Sequence, residues 1–268
     1  MSSQRPIVDP SVSSEVLRAH DKGNTAQAVK FATIEKSLRE LRSGRMIVIA
    51  DDEDRENEGD LVIAAEMVTP EVINFMATYA RGLIGLAMTG ERLDQLDLGP
   101  MVRHNTATLG TAFTVSIDAR GRGVTSGISS YDRAQTILAA VDARTRPEDL
   151  ARPGHVFPLR SRPNGVLERR GQTEASVDLA RLAGLHNHAA VICEIMNPNG
   201  GMARGSDLAS FCSQYGFTMV TVDQIVRYRL ETALDQPLGL HSQRYSPDWE
   251  KLVKENTMYR SSHIGEQR

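Results

Sequence analysis

The sequence predicts an α+β fold: a single three-layer α/β/α domain with a mixed β-sheet. Two observations carry this. Segments with helical and with strand patterning are interleaved along the whole chain rather than segregated. Several strand-length segments, 46–50 and 190–196 among them, are continuously apolar, and strands of that kind need cover on both faces.

The elements follow in order. Residues 1–30 are polar and weakly periodic, and read as a flexible N-terminal arm. Ile34, Leu38 and Leu41 keep helical spacing, with Thr33 as N-cap and Gly44 past the end. Segments 46–50 and 61–66 read as strands joined by an acidic loop. Thr69-Pro70 opens a helix that is expected to end at Gly82, before a buried strand at 83–88. Residues 111–117 alternate and predict a half-buried strand. A helix follows at 130–141, then short extended pieces at 155–159 and 165–167. Thr173 is expected to start a helix through Ala183 that stops at Gly184. A core strand at 190–196, an amphipathic helix at 206–215, a strand at 219–222 and a helix at 223–230 complete the domain, set at 31–232. Residues 233–268 form a polar C-terminal tail that holds the only tryptophan, Trp249.

Composition excludes several function classes. The net charge of -3 over 268 residues gives no basic field, so nucleic acid and membrane are not expected partners. Two cysteines, Cys193 and Cys212, make neither a disulfide framework nor a zinc site. The first residues lack an apolar h-region and no run is long enough to cross a bilayer, so a cytoplasmic location is expected. There is no nucleophile elbow, P-loop or dinucleotide fingerprint.

Four segments could carry chemistry. In 51–60, seven carboxylates crowd ten positions around Arg55, directly after a buried strand. Like charges at that density repel, and a hard cation such as Mg²⁺ or Mn²⁺ relieves the repulsion. A solvated acidic turn is the plainer alternative. Glu194 lies inside a core strand, where a carboxylate with a raised pKa makes a general acid or base; a solvent-facing side chain would explain it as well. Pro153-Gly154 present His155 on a turn. Arg169, Arg170, Gly171, Gln172 and Thr173 precede or open a helix, an arrangement that suits an anion such as phosphate and serves equally as an ordinary helix cap.

Taken together, the strings DDEDRENEGD, GTAFTVSIDA, GVTSGIS-x-x-DRA, RPGHVFPLR, GVL-x-R-x-G-x-TEA and VICEIMN-x-x-G-x-MAR resemble the 3,4-dihydroxy-2-butanone 4-phosphate synthases, in the family's order and across roughly residues 34–229. The resemblance implies a lyase of riboflavin biosynthesis that converts ribulose 5-phosphate to the butanone phosphate and formate. It implies Mg²⁺ (or Mn²⁺) and a homodimer with sites near the interface. By the same resemblance, His155 and Glu194 are the catalytic residues and Glu56 is a metal ligand. Arg55, Glu56, Asp60, Glu194 and the segment Arg169, Arg170, Gly171, Gln172 and Thr173 bind substrate.

Two positions depart from the family pattern. Gln172 stands where the family has its second metal ligand, a histidine. Its oxygen can bind Mg²⁺ but is neutral and a weaker donor than imidazole. Gly85 stands where a cysteine usually lines the site. A divergent enzyme on a pentulose phosphate and a non-catalytic paralogue are the alternatives these departures raise. With two cysteines and a short tail, a form fused to GTP cyclohydrolase II is not expected.

Overall fold

The computed structural model describes residues 31–234; the predicted N-terminal arm and nearly all of the C-terminal tail lie outside the described residues. The chain divides into two units, Met1–Ile225 and Val226–Arg268. Among the described residues the first contains seven strands: β1 (Ile47–Ala50), β2 (Gly59–Ala64), β3 (Arg81–Met88), β4 (Ile117–Ala119), β5 (Leu150–Arg160), β6 (Ala189–Ile195) and β7 (Thr218–Thr221). Its helices are α1 (Ile34–Arg42), α2 (Pro70–Phe75), α3 (Gly90–Gln95), α4 (Ser130–Val141), α5 (Gln172–Leu182) and α6 (Ser206–Tyr215). A last helix, α7 (Val222–Leu234), runs across the boundary into the second unit.

The strands form one sheet in the order β4-β5-β3-β6-β2-β1-β7. Pairs β1–β7 and β3–β5 are parallel and the rest antiparallel, so the sheet is mixed as expected. Helices α1 and α5 pack on one face. On the other, Val48, Leu61, Ile63, Leu86, Val191 and Cys193 form a fully buried core with Val72, Ile137 and Leu208 from α2, α4 and α6. That is the three-layer arrangement the continuously apolar strands required.

Local signals decide the element ends. Thr33 caps α1, its hydroxyl accepting from the Lys36 N–H, and Gly44 follows the helix at φ +73°. Thr69 caps α2 with Pro70 in its first turn, but α2 stops at Phe75 and one π-helical turn, Met76–Ala80, leads into β3 two residues before the expected strand start. The strand expected at 111–117 is reduced to bridges at Phe113 and Thr114; the paired strand is Ile117–Ala119. Residues 165–167, expected to be extended, form a 3₁₀ turn. Thr173 is not the cap of α5: the helix begins at Gln172 and Gly171 is its N-cap. No helix among the described residues is long and apolar enough to cross a membrane.

Candidate active site

The cross-strand register builds the site. Asp60 on β2 is paired with Glu194 on β6, and Ile192 two residues earlier is paired with Gly85 on β3. Because side chains alternate along a strand, Asp60, Glu194, Ile192 and Gly85 share one face of the sheet, the face α5 covers. They line a cavity of about 130 Å³ together with Arg55, Glu56, Leu83, Thr111, Phe113, Leu159, Arg169, Gln172 and Thr173.

The acidic loop after β1 is organised by Asp51. Its carboxylate, wholly shielded from solvent, accepts from the backbone N–H of Glu58 at 2.8 Å and of Glu56 at 3.3 Å, and pairs with Arg55. The same Arg55 Nη1 donates to Glu56 Oε2 and to Gln172 Oε1, each at 2.9 Å. Thus one cationic nitrogen gathers oxygens from Asp51, Glu56 and Gln172. Arg204 holds the loop from outside, bonding Glu58 Oε1 at 2.7 Å and the Glu56 carbonyl at 3.3 Å.

This donor set fits a hard divalent cation. It offers oxygen only, from two carboxylates and one amide, and already surrounds a positive charge. No three His, Cys, Asp or Glu among the described residues form a ready cage. Mg²⁺ suits such a partial shell, since it takes few protein ligands and completes its octahedron from water and substrate.

Asp60 and Glu194 form the acid pair at the cavity floor. Burial, then the neighbouring Glu194 charge, holds the Asp60 carboxyl well above the ordinary carboxylate range. Burial raises Glu194 too, against hydrogen bonds that include the Leu83 N–H donating to Oε2 at 2.8 Å. The floor therefore presents two neighbouring buried carboxyls, both held above the ordinary range and titrating as a pair.

At the start of α5, Gln172 and Thr173 are buried against the cavity. Arg169 is fixed by Glu174 Oε2 at 2.6 Å, Thr111 Oγ1 at 3.1 Å and the Leu109 carbonyl at 3.1 Å. Burial raises the Glu174 carboxyl and Arg169 offsets part of that. Arg170 does not line the cavity; it pairs with Asp52 at 3.1 Å and Asp223 at 2.7 Å, tying the acidic loop to the head of α7. Gly171, as N-cap, sets the path of the chain rather than the lining.

Gly85 does line the cavity, and a Cβ there would come 2.5 Å from Leu159 Cδ1. Leu159 fills the space a side chain at 85 would need. The loop with His186 and His188 supplies no replacement ligand: neither histidine lines the cavity, and Asn187 is bonded to Glu66 at 2.8 and 3.1 Å. His155 lies outside the lining as well. It sits on β5 two residues before Phe157, the partner of Gly85, in the stretch 152–155 where the pairing with β4 is interrupted. Its ring is exposed and engages Asp118 at 2.8 Å.

Sequence reasoning counted Asp51 only among the carboxylates of the acidic run and missed Asp118, Glu174 and Arg204. Each is an acid or base whose partner is set by the fold, and only their presence inside the motif strings marked them.

The pattern of the 3,4-dihydroxy-2-butanone 4-phosphate synthase family matches residues 35–228. Riboflavin biosynthesis protein RibBA of Aquifex aeolicus is 55% identical over 215 residues, covering 79% of this chain and 53% of that protein. Two solved structures are similar. A two-domain 3,4-dihydroxy-2-butanone 4-phosphate synthase, RibBX from A. baumannii, is 49% identical at TM-score 0.71, with 74% of this chain and 58% of that one covered. A 3,4-dihydroxy-2-butanone 4-phosphate synthase in complex with two magnesium ions is 41% identical at TM-score 0.72, with 76% and 99% covered. The chain spans about half the length of the curated relatives it matches, 53% of the Aquifex protein for example.

Proposed function

The chain belongs to the 3,4-dihydroxy-2-butanone 4-phosphate synthase family, and we propose that it is a magnesium-dependent lyase converting D-ribulose 5-phosphate to 3,4-dihydroxy-2-butanone 4-phosphate and formate. The observation that carries this reading is the acid pair Asp60 and Glu194 at the floor of a cavity whose rim holds Arg55, Glu56 and Gln172.

Enolising a ketose requires a base at a carbon-bound proton and a partner that returns protons to oxygen. Glu194, accepting from the Leu83 N–H, is held in place to take the proton, with the buried Asp60 carboxyl paired opposite it on β2. Glu56 and Gln172 would hold Mg²⁺, which when bound supplies Lewis-acid stabilisation of the negative charge on enolisation. Arg169 and Thr173 at the head of α5 suit the phosphate, so that its binding energy positions the reacting carbons. Arg55 serves as a further cationic contact. Arg170 and Gly171 shape this segment from outside the cavity.

His155 completes the catalytic set in a cytoplasmic homodimer with sites near the interface. Its exposed ring outside the lining of its own cavity, and exposed Leu83, Ile128 and Tyr131, support an arrangement in which a second copy closes the site.

The test is ¹H NMR of the purified chain with ribulose 5-phosphate and Mg²⁺. Formate and the four-carbon phosphate are expected, and EDTA should abolish both. A different pentulose product would assign the divergent reaction; inert substrate would remove the enzyme reading.

A further inference from the structure

Glu194 faces an irregularity in its own sheet. The pairing of β3 with β6 is regular from Ile84↔Cys193 to Met88↔Ala189, but Arg81 pairs with Ile195. Two residues of β3, Gly82 and Leu83, therefore stand opposite the single residue Glu194, which makes a β-bulge. The residue that a bulge adds drops out of the ladder, so a backbone N–H is freed to serve a side chain. Here the Leu83 N–H donates to Glu194 Oε2 at 2.8 Å, and Leu83 lines the cavity.

The bulge is held from both sides. The π-helical turn Met76–Ala80 delivers the chain to Arg81, which takes the left-handed conformation at φ +71°. A non-glycine residue persists there when its surroundings over-determine it. Arg81 Nη1 donates to the carbonyls of Tyr79 at 2.8 Å and Met196 at 3.0 Å, and the Met196 N–H bonds the Ala80 carbonyl at 2.9 Å. Gly82 then makes room for the acid. A Cβ on Gly82 would lie 2.6 Å from Glu194 Oε2 and 2.7 Å from the Glu194 backbone nitrogen, and would overlap the Glu194 carbonyl oxygen. A side chain at 82 must push β6 away or turn the carboxylate out of its place.

We propose that the Gly82–Leu83 bulge is the positioning element for Glu194: the Leu83 N–H fixes the carboxylate in the cavity, and the bare Cα of Gly82 lets it lie there. The inference rests on the reading of Glu194 as the base that starts the reaction. Neither bulge residue handles the proton; both act through the Glu194 side chain. A bulge suits this task because it re-aims a side chain while leaving the rest of the sheet in register.

The test removes the donor alone. A backbone ester at Leu83, made by incorporating the matching α-hydroxy acid into the full-length chain, replaces that N–H by oxygen and keeps every side chain. A misplacement of about 1 Å can cost roughly 10²-fold, so kcat for formate should fall by about that factor, with KM for ribulose 5-phosphate and Mg²⁺ affinity unchanged. Gly82→Ala should show the same split, at least as large. An ester variant with unaltered kcat overturns the proposal. Weakened substrate and Mg²⁺ binding alongside the loss of kcat would show a general loosening of the sheet, and overturns it too. If neither variant folds, ¹H–¹⁵N NMR of the unmodified chain and of Glu194→Gln decides: the Leu83 amide proton should lie downfield in the first and move upfield in the second, and an unchanged shift overturns the proposal. If Glu194→Gln is inactive while the ester keeps full turnover, only the role of the bulge fails. If Glu194→Gln keeps full turnover, or the unmodified chain releases no formate, the reading of Glu194 as the base fails and the proposal falls with it.

Discussion

Asp51→Ala tests whether the acidic loop is built around one buried carboxylate. Asp51 is wholly shielded, and its oxygens hold the Arg55 guanidinium and the N–H groups of Glu56 and Glu58. Losing a charge-assisted bond costs about 1.5–3 kcal/mol, and an unsatisfied buried donor about 1–3 kcal/mol more. Arg55 keeps Glu56 and Gln172 as partners, so its charge is not stranded and the loss falls short of the roughly 3–5 kcal/mol for a broken buried pair. The expected destabilisation is about 2–4 kcal/mol. Asp51→Asn keeps one acceptor for the Glu58 N–H and should cost about half of that. Equilibrium urea unfolding gives both values, read as a lower midpoint at unchanged slope. An Ala variant within about 0.5 kcal/mol of the unmodified chain, the range of ordinary surface changes, would refute the reasoning.

Three further outcomes follow from the site. Asp60→Asn should stabilise the protein at neutral pH. The folded pKa of Asp60 is raised by burial, so its contribution is fully present below the unfolded carboxylate range and is lost as pH rises through the folded value. The gain should therefore vanish in acid, and urea midpoints that move in parallel at all pH values would contradict it. Glu56→Ala should abolish Mn²⁺ and Mg²⁺ binding measured by calorimetry; unchanged affinity would put the metal elsewhere. Gln172→His should tighten Mg²⁺ binding by about 10–100-fold, the factor a single partner carries at a metal site, and equal or weaker binding would show that the amide is the better ligand in this shell.

What the sequence made legible was what depends on near neighbours. Thr33, Thr69 and Gly44 mark helix ends through contacts within one turn, and the structure bears them out. The interleaving of apolar segments gave the layers. Residues 165–167 misled because three residues cannot distinguish an extended piece from a 3₁₀ turn. The alternation at 111–117 misled because the edge of the sheet there is irregular and pairs only at Phe113 and Thr114 before β4. Thr173 looked like a cap because its hydroxyl suits one, yet the chain turns two residues earlier, at Gly171. In the site, Arg55, Glu56, Asp60, Gln172 and Glu194 were marked by their motif strings. That Gln172 and Glu56 bind the same guanidinium nitrogen, or that Arg169 rests on Glu174, is set by tertiary packing and has no local signature.

The central claim is that the carboxylate of Glu194, in this cavity, takes the proton that starts the reaction. Glu194→Gln keeps volume and can no longer accept that proton. Formate release from ribulose 5-phosphate, followed by ¹H NMR at saturating Mg²⁺ for the unmodified chain and for Glu194→Gln side by side, tests it directly. The account predicts formate from the unmodified chain and a loss of about 10²–10⁴-fold in the variant, the usual worth of a positioned general base, with unchanged circular dichroism. Equal rates of formate release from both proteins would contradict it.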